Sequence, residues 1–214
     1  MKKIGRGWQY VVYDLENGRV RKQRYSPVLQ YLKISKDLLT ETKFFPFFEA
    51  RSEQRRMRRD EENAVAYLKD LKDFDWKLLG NPHFISDGVY EQDKVTDLNE
   101  AFKGVTIEEG KKIFNTFLAL TYATWEYGFS DKIFNFTINN GLTKNGEVIQ
   151  LDFGELEFDK EEMRRHIREK CWLERYSYWS FPKGELKDYY VTMMNPEVME
   201  RKLDEVWGIK LYKF

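Results

Sequence analysis

At 214 residues, 42% of them hydrophobic and 16% aromatic, the chain has material for one ordinary domain or two small lobes, which excludes a disordered protein or one that needs staples to fold. Lysine plus arginine and aspartate plus glutamate number 36 each, so bulk charge draws the chain to neither nucleic acid nor an anionic membrane, and any such partner needs a local patch. The lone cysteine, Cys171, rules out an internal disulfide and, with only two histidines, argues against structural zinc. The N-terminal residues turn polar before any long apolar run, so neither a signal peptide nor a membrane span is expected there, and a cytoplasmic location follows.

The first elements are two strand-like runs, Gln9 to Leu15 and Arg19 to Tyr25, joined by Asn17-Gly18. Asn-Gly between such runs is a strong hairpin signal, because both residues tolerate positive φ. The segment from Ser26 to Arg59 is less regular, and Phe44, Phe45, Phe47 and Phe48 around Pro46 are expected to dock a connecting segment onto the core. Asp60 opens a helical stretch with Ala64, Val65, Leu68 and Leu71 on one face. A strand pair is expected within residues 75–93.

Thr106 and Glu109 have capping-box spacing ahead of a helix carrying Ile113, Phe114, Phe117, Leu118 and Leu120. The runs "FNFTI" and "EVIQL" alternate like strands around "NNGLTKNG". Asp159 and Glu162 form a second box before a charged helix. Asn195 and Pro196 suit the N-cap and first position of a last helix whose apolar face is Val198, Met199, Leu203, Val206 and Trp207, ended by Gly208. Strands, a helix, strands and then mostly helices make a two-lobed α+β pattern.

Phosphoryl transfer from a nucleotide needs backbone amides over the phosphates, a cation on their oxygens, magnesium ligands and an acceptor held in line. Gly5-Arg6-Gly7 precedes the first strand, where missing β-carbons let backbone approach a phosphate. Lys22 lies on the second hairpin strand, and Glu61 begins the amphipathic helix, placed to pair with it. Asn135 starts the later hairpin and Asp152, of Asp152-Phe153-Gly154, ends it. An amide oxygen and a carboxylate at adjacent strand ends suit the hard magnesium ion.

In this order the motifs resemble the protein-kinase-like superfamily. The resemblance implies a bilobal fold, with a β-rich N-lobe over residues 1–92 and a reduced, mainly helical C-lobe over 93–214. It implies ATP and magnesium as cofactors. It makes Gly5 and Gly7 the glycine-rich loop, Lys22 the strand lysine, Glu61 its helix partner, and Gly88 to Gln92, including Tyr90 and Glu91, the hinge beside adenine. Asn135 and Asp152 become the metal ligands.

The family's catalytic loop runs His-Arg-Asp-x-x-x-x-Asn. A match anchored on Lys132 and Asn135 places Gly128 at the histidine and Ser130 at the aspartate. Asp131 is one residue late and substitutes only if the loop is one residue shorter. Ser130, Lys132 and Asn135 are also similar to the Ser-x-Lys-x-x-Asn loop of small bacterial kinase-like proteins of the YrbL type. No Ala-Pro-Glu ends a long segment after Asp152, so a small-molecule, lipid-headgroup or self-phosphorylation acceptor suits the chain as well as a protein does.

Three functional readings stand: a phosphotransferase in which Asp131 or Ser130 faces the acceptor, a nucleotide-binding pseudokinase that presents a surface to a protein partner, and a nucleic-acid-binding protein using Arg51, Arg55, Arg56, Arg58 and Arg59. That cluster reads more simply as a solvated helix face. His83 and His166 lack ligand spacing. Trp125, Tyr127, Trp172, Tyr176, Tyr178 and Trp179 read as packing residues, and Cys171 as a buried apolar one.

Overall fold

The computed structural model describes residues 1–7, 9–42, 47–132, 134–174 and 184–211. It is α+β, its sheets antiparallel, and the chain divides into two compact units: Met1–Asn63 with Gly80–Lys94, and Ala64–Leu79 with Val95–Phe214.

The first unit is built on a five-stranded sheet in the order β1-β2-β3-β5-β4, from β1 (Lys2–Arg6), β2 (Tyr10–Asp14), β3 (Arg19–Arg24), β4 (His83–Ser86) and β5 (Val89–Asp93). The Asn17-Gly18 turn is where the sequence puts it, with Gly18 at φ +83°. The other left-handed residue there is Glu16, not Asn17, whose Oδ1 accepts the Arg19 amide at 3.1 Å. Alternation along β3 separates Val20, Lys22 and Arg24 from Arg19 and Arg21. The latter face is laced by Arg21–Glu91 at 2.7 Å and Arg19–Asp93 at 2.9 Å.

Three local readings are corrected. Gly5 lies inside β1, an extra strand paired with β2 across a register shift between Lys3 and Gly5, and not in a loop before the first strand. The helix expected to open at Asp60 is α2 (Phe47–Asp70), which starts thirteen positions earlier, and a further helix, α1 (Pro27–Thr42), precedes it. Lacking apolar periodicity, the first turns of α2 are bound by side-chain pairs one turn apart: Arg56 with Glu53 and Asp60, and Arg58 with Glu62 at 2.7 Å. Phe48 is 92% exposed rather than docked, while Phe44, Phe45 and Pro46 lie outside the described residues.

After the short α3 (Leu98–Ala101), the second unit centres on α4 (Ile107–Glu126), whose capping box is complete: Thr106 Oγ1 accepts from the Glu109 amide and the Glu109 carboxylate accepts from the Thr106 amide. All five expected apolar residues of this helix are buried. Against it pack α7 (Gly184–Met193) and α8 (Pro196–Val206), and α6 (Lys160–Arg168) packs on α8. Asn195 caps α8 through Oδ1, and Gly208, at φ +72°, follows its end. Asp159 caps α6, although Glu162 turns its carboxylate to Arg165.

The interior is aromatic. Tyr190 meets Phe114 edge-on at 4.9 Å and stacks on Phe136 at 5.1 Å, with Trp125 and Trp172 fully enclosed nearby in the same cluster. Tyr127 is also buried, Cys171 is only half-buried, and Tyr176, Tyr178 and Trp179 lie outside the described residues.

The run "FNFTI" is not a strand. Phe134 sits at φ +49°, and Phe136–Asn139 is a single helical turn, α5. The hairpin is β8 (Asn140–Leu142) with β9 (Val148–Gln150), joined on β8's other edge by β6 (Thr96–Asp97). A separate ribbon pairs β7 (Ser130–Asp131) with β10 (Leu156–Glu157).

Gly141 marks the tightest approach in this hairpin: a β-carbon there would lie 2.3 Å from Val95 Cγ2 and 3.1 Å from the Thr96 carbonyl oxygen. Gly141→Ala is therefore expected to lower unfolding free energy by about 1–3 kcal/mol in urea denaturation. Gly7→Ala, where nothing lies within 4 Å, should leave the midpoint unchanged.

Candidate functional site

In the first unit the chemistry gathers on the inner face of β3. Arg24 and Lys22 share that face by strand alternation, and α2 brings Glu61 against it. The Glu61 carboxylate is 4% exposed. Its Oε2 accepts from Arg24 Nη2 at 2.9 Å, and its Oε1 accepts from the Tyr10 hydroxyl. Among the groups on Glu61 is thus the Arg24 guanidinium, on the same strand as Lys22 and one that the sequence did not single out.

Arg24 continues the chain of charges through Nη1 to Asp87, which also accepts from Arg58 at 3.1 Å. Its course is permitted by Gly88, because a β-carbon there would sit 2.8 Å from Arg24 Cβ. Lys22 Nζ lies 5.5 Å from the centre of the Tyr90 ring, which is buried against Tyr10 and Phe84. Tyr90 and Glu91 lie on strand β5. Glu91 occupies the other face with Arg21, so only Tyr90 of the two shares a face with Lys22. Gly7 closes the β1–β2 hairpin with its own amide, donated to the Tyr10 carbonyl at 2.9 Å.

The second unit holds the other candidates. Asp131 ends β7, opposite Leu156 of β10, and the Lys132 amide donates to the Glu155 carbonyl at 2.8 Å. Residues 131–132 and 155–156 therefore run side by side, and Asp152 precedes the latter by three residues. Asp152 folds an Asx turn, its Oδ1 accepting the Gly154 amide at 2.8 Å. Asp131 is 7% exposed and Ser130 fully enclosed, with the Ser130 hydroxyl directed to the Asp131 carbonyl. Lys132 Nζ is 3.9 Å from Glu157.

The residue that joins these carboxylates is one the sequence reading missed. Asn139 Nδ2 donates to Glu155 Oε2 at 2.8 Å and to Asp131 Oδ2 at 3.3 Å. Asn135, one helical turn earlier, is instead the N-cap residue of α5 and makes no side-chain cap bond. Asn139 and Glu155 carried one signal in the sequence: Asn139 opens the turn-prone "NNGLTKNG", and Glu155 directly follows the Asp-Phe-Gly. Between Asp131 and Asn139 the chain passes through Phe134, buried and left-handed, a backbone state that costs of order 1–3 kcal/mol for a side-chain-bearing residue.

The donors here are carboxylate and amide oxygens, the set that magnesium accepts, usually from one or two protein groups with phosphates and water completing the shell. Among the described residues no three of His, Cys, Asp and Glu group as a larger metal centre. His166 is buried on α6, with Nε2 3.2 Å from Arg165 Nη2 and no partner for Nδ1 among the described residues. No helix among them is long and apolar enough to cross a membrane. No family model matches the chain, and no curated protein matches its sequence.

Two tests follow from this geometry. Arg24→Ala leaves Glu61 buried without its guanidinium, and a loss of about 3–5 kcal/mol is expected in denaturant melts. The double change Arg24→Met with Glu61→Leu should recover most of that loss, because no charge is then stranded.

For His166, burial first and then the neighbouring Arg165 push the imidazole pKa below its ordinary value. The unfolded chain then binds the proton more readily, so this residue's contribution to stability is full above about pH 6.5 and falls away as pH drops below it. His166→Gln should flatten that part of the stability profile.

Proposed function

We propose that the chain is an ATP- and magnesium-dependent phosphotransferase of the protein-kinase-like type, with a β-rich lobe and a reduced helical lobe. The observation that carries the reading is the β7–β10 ribbon. It brings the loop after Asp131 and the Asp152-Phe153-Gly154 turn to one small sheet, with the β8–β9 hairpin between them in sequence.

The first unit supports the reading with a helix carboxylate seated on the strand that bears Lys22. Lys22 supplies the cation for nucleotide phosphates, and Glu61, held by Arg24 and Tyr10, fixes α2 against the sheet that presents it. Gly5 contributes through a narrow β1 backbone, and Tyr90 packs under Lys22. In the second unit Asp152 and an asparagine amide oxygen serve as metal donors, with Asn139 joining Asn135 as a candidate. Magnesium, when bound, neutralises the charge on the phosphate oxygens. Asp131, flanked by Ser130 and Lys132, faces the acceptor. Because only four residues separate Gly154 from the Asp159 cap, a small molecule or the chain itself suits the acceptor role as well as a docked protein does.

One observation favours a second reading, a nucleotide-binding pseudokinase that acts as a protein-interaction switch. Asp131 is nearly enclosed, with one oxygen held by Asn139, and Ser130 is sealed.

Transfer of label from γ-labelled ATP separates the two. The phosphotransferase predicts magnesium-dependent label on the chain or on a small hydroxyl acceptor, reduced about a hundredfold or more by Lys22→Met or Asp152→Ala. Nucleotide binding without transfer assigns the chain to the second reading, and failure of both removes the nucleotide.

A further inference from the structure

We infer that the first unit carries a peripheral binding surface for anionic lipid, made by the outward faces of α1 and the first turns of α2.

The polarity of α1 is partly inverted over its first turns. Gln30, Ile34 and Ser35 are buried, while Val28, Leu29 and Leu32 stand out at 68%, 53% and 55% exposure. The Ser35 hydroxyl has no partner among the described residues. A helix that turns two polar side chains inward and three aliphatic ones outward has an outer face made for something other than water.

A basic face on α2 begins beside the start of α1. Gln54 Nε2 of α2 donates to the Pro27 carbonyl at the start of α1, at 2.5 Å, so Val28 begins beside the second turn of α2. On the solvent side of α2, Phe48 at 92% exposure stands with Arg51, Ser52, Arg55, Arg56 and Arg59 around a surface concavity of about 570 Å³. Arg51 and Arg55 have no acidic partner among the described residues, and Arg59 reaches only Asp60, at 3.7 Å. With the chain neutral overall, the positive charge here is local to this patch.

Aliphatic side chains next to guanidinium groups on adjacent helices match the acyl boundary and the anionic headgroups of a lipid surface. Nucleic acid would use the arginines and Phe48 but leaves Val28, Leu29 and Leu32 without a role. A second copy of the chain in a two-fold pair would set arginine stripe against arginine stripe.

The test is co-sedimentation of the full chain with vesicles of phosphatidylcholine, alone or with about one-third phosphatidylserine. The chain is expected to pellet with the anionic vesicles, to be released by high salt, and to stay in solution with phosphatidylcholine alone. Arg51→Glu with Arg55→Glu should weaken binding by more than about tenfold. Leu29→Ser with Leu32→Ser should do likewise with an unchanged circular dichroism spectrum and only a small loss of melting temperature, since both side chains are already about half exposed.

Equal binding to both vesicle types, or no effect of either double variant, overturns the proposal. So does a saturable oligonucleotide complex without vesicle binding, which would make the stripe a nucleic-acid site. A dimer dissolved by the leucine variant would likewise assign the face to a second copy.

Discussion

Glu61 is a carboxylate that folding removes from water, and the first unit is arranged around satisfying it. Desolvating such a charge costs several kcal/mol even after relaxation, so the ion is tolerable only with a cation and further donors in good geometry. Arg24 and Tyr10 supply them from two neighbouring strands, which fixes the rotation and height of α2 on the sheet. Asp87 and Arg58 extend the network, and Gly88 makes room for it by having no β-carbon. The pair is a device of position more than of stability, since a hydrophobic pair of similar volume would hold the unit as well. What it secures is a helix carboxylate at a set place beside the strand of Lys22.

The second unit solves the matching problem with packing. An aromatic interior around Phe114, Phe136, Tyr190 and Trp172 is rigid enough to hold Phe134 in a backbone state that aromatic residues rarely adopt. The strained residue lies in the loop that runs from Asp131 to Asn139, and strain of this kind concentrates where a loop must present groups in one arrangement. Asn139 completes that arrangement by tying the Asp131 and Glu155 carboxylates through one amide.

What could be read from the sequence was what short-range chemistry dictates. The Asn17-Gly18 turn, the Thr106–Glu109 box, the Asn195-Pro196 start and the apolar face of α4 each depend on residues within one turn of one another. The first turns of α2 escaped because their helix is written in arginine and glutamate pairs, and α1 because Val28, Leu29 and Leu32 face outward. Strands of three residues, such as β8, are too short to show alternation, so the strand period was found in the helical turn beside it. Lys22 and Arg24 point to the same face of one strand, and Asn135 and Asn139 lie one helical turn apart. Periodicity cannot single out Arg24 or Asn139 within either pair, and only the folded chain shows their contacts to Glu61 and Asp131.

These two devices, a positioned helix carboxylate in one unit and a strained acidic loop beside an Asp-Phe-Gly turn in the other, have a common explanation if the chain handles a nucleotide with magnesium. Thermal melting of the wild type and of Asp152→Ala with ATP, in the presence and absence of magnesium, tests that most directly. A magnesium-dependent rise is expected for the wild type, equivalent to about 2.7 kcal/mol at a hundred times the dissociation constant, with its loss in Asp152→Ala. A wild-type melting temperature indifferent to ATP with magnesium would contradict it.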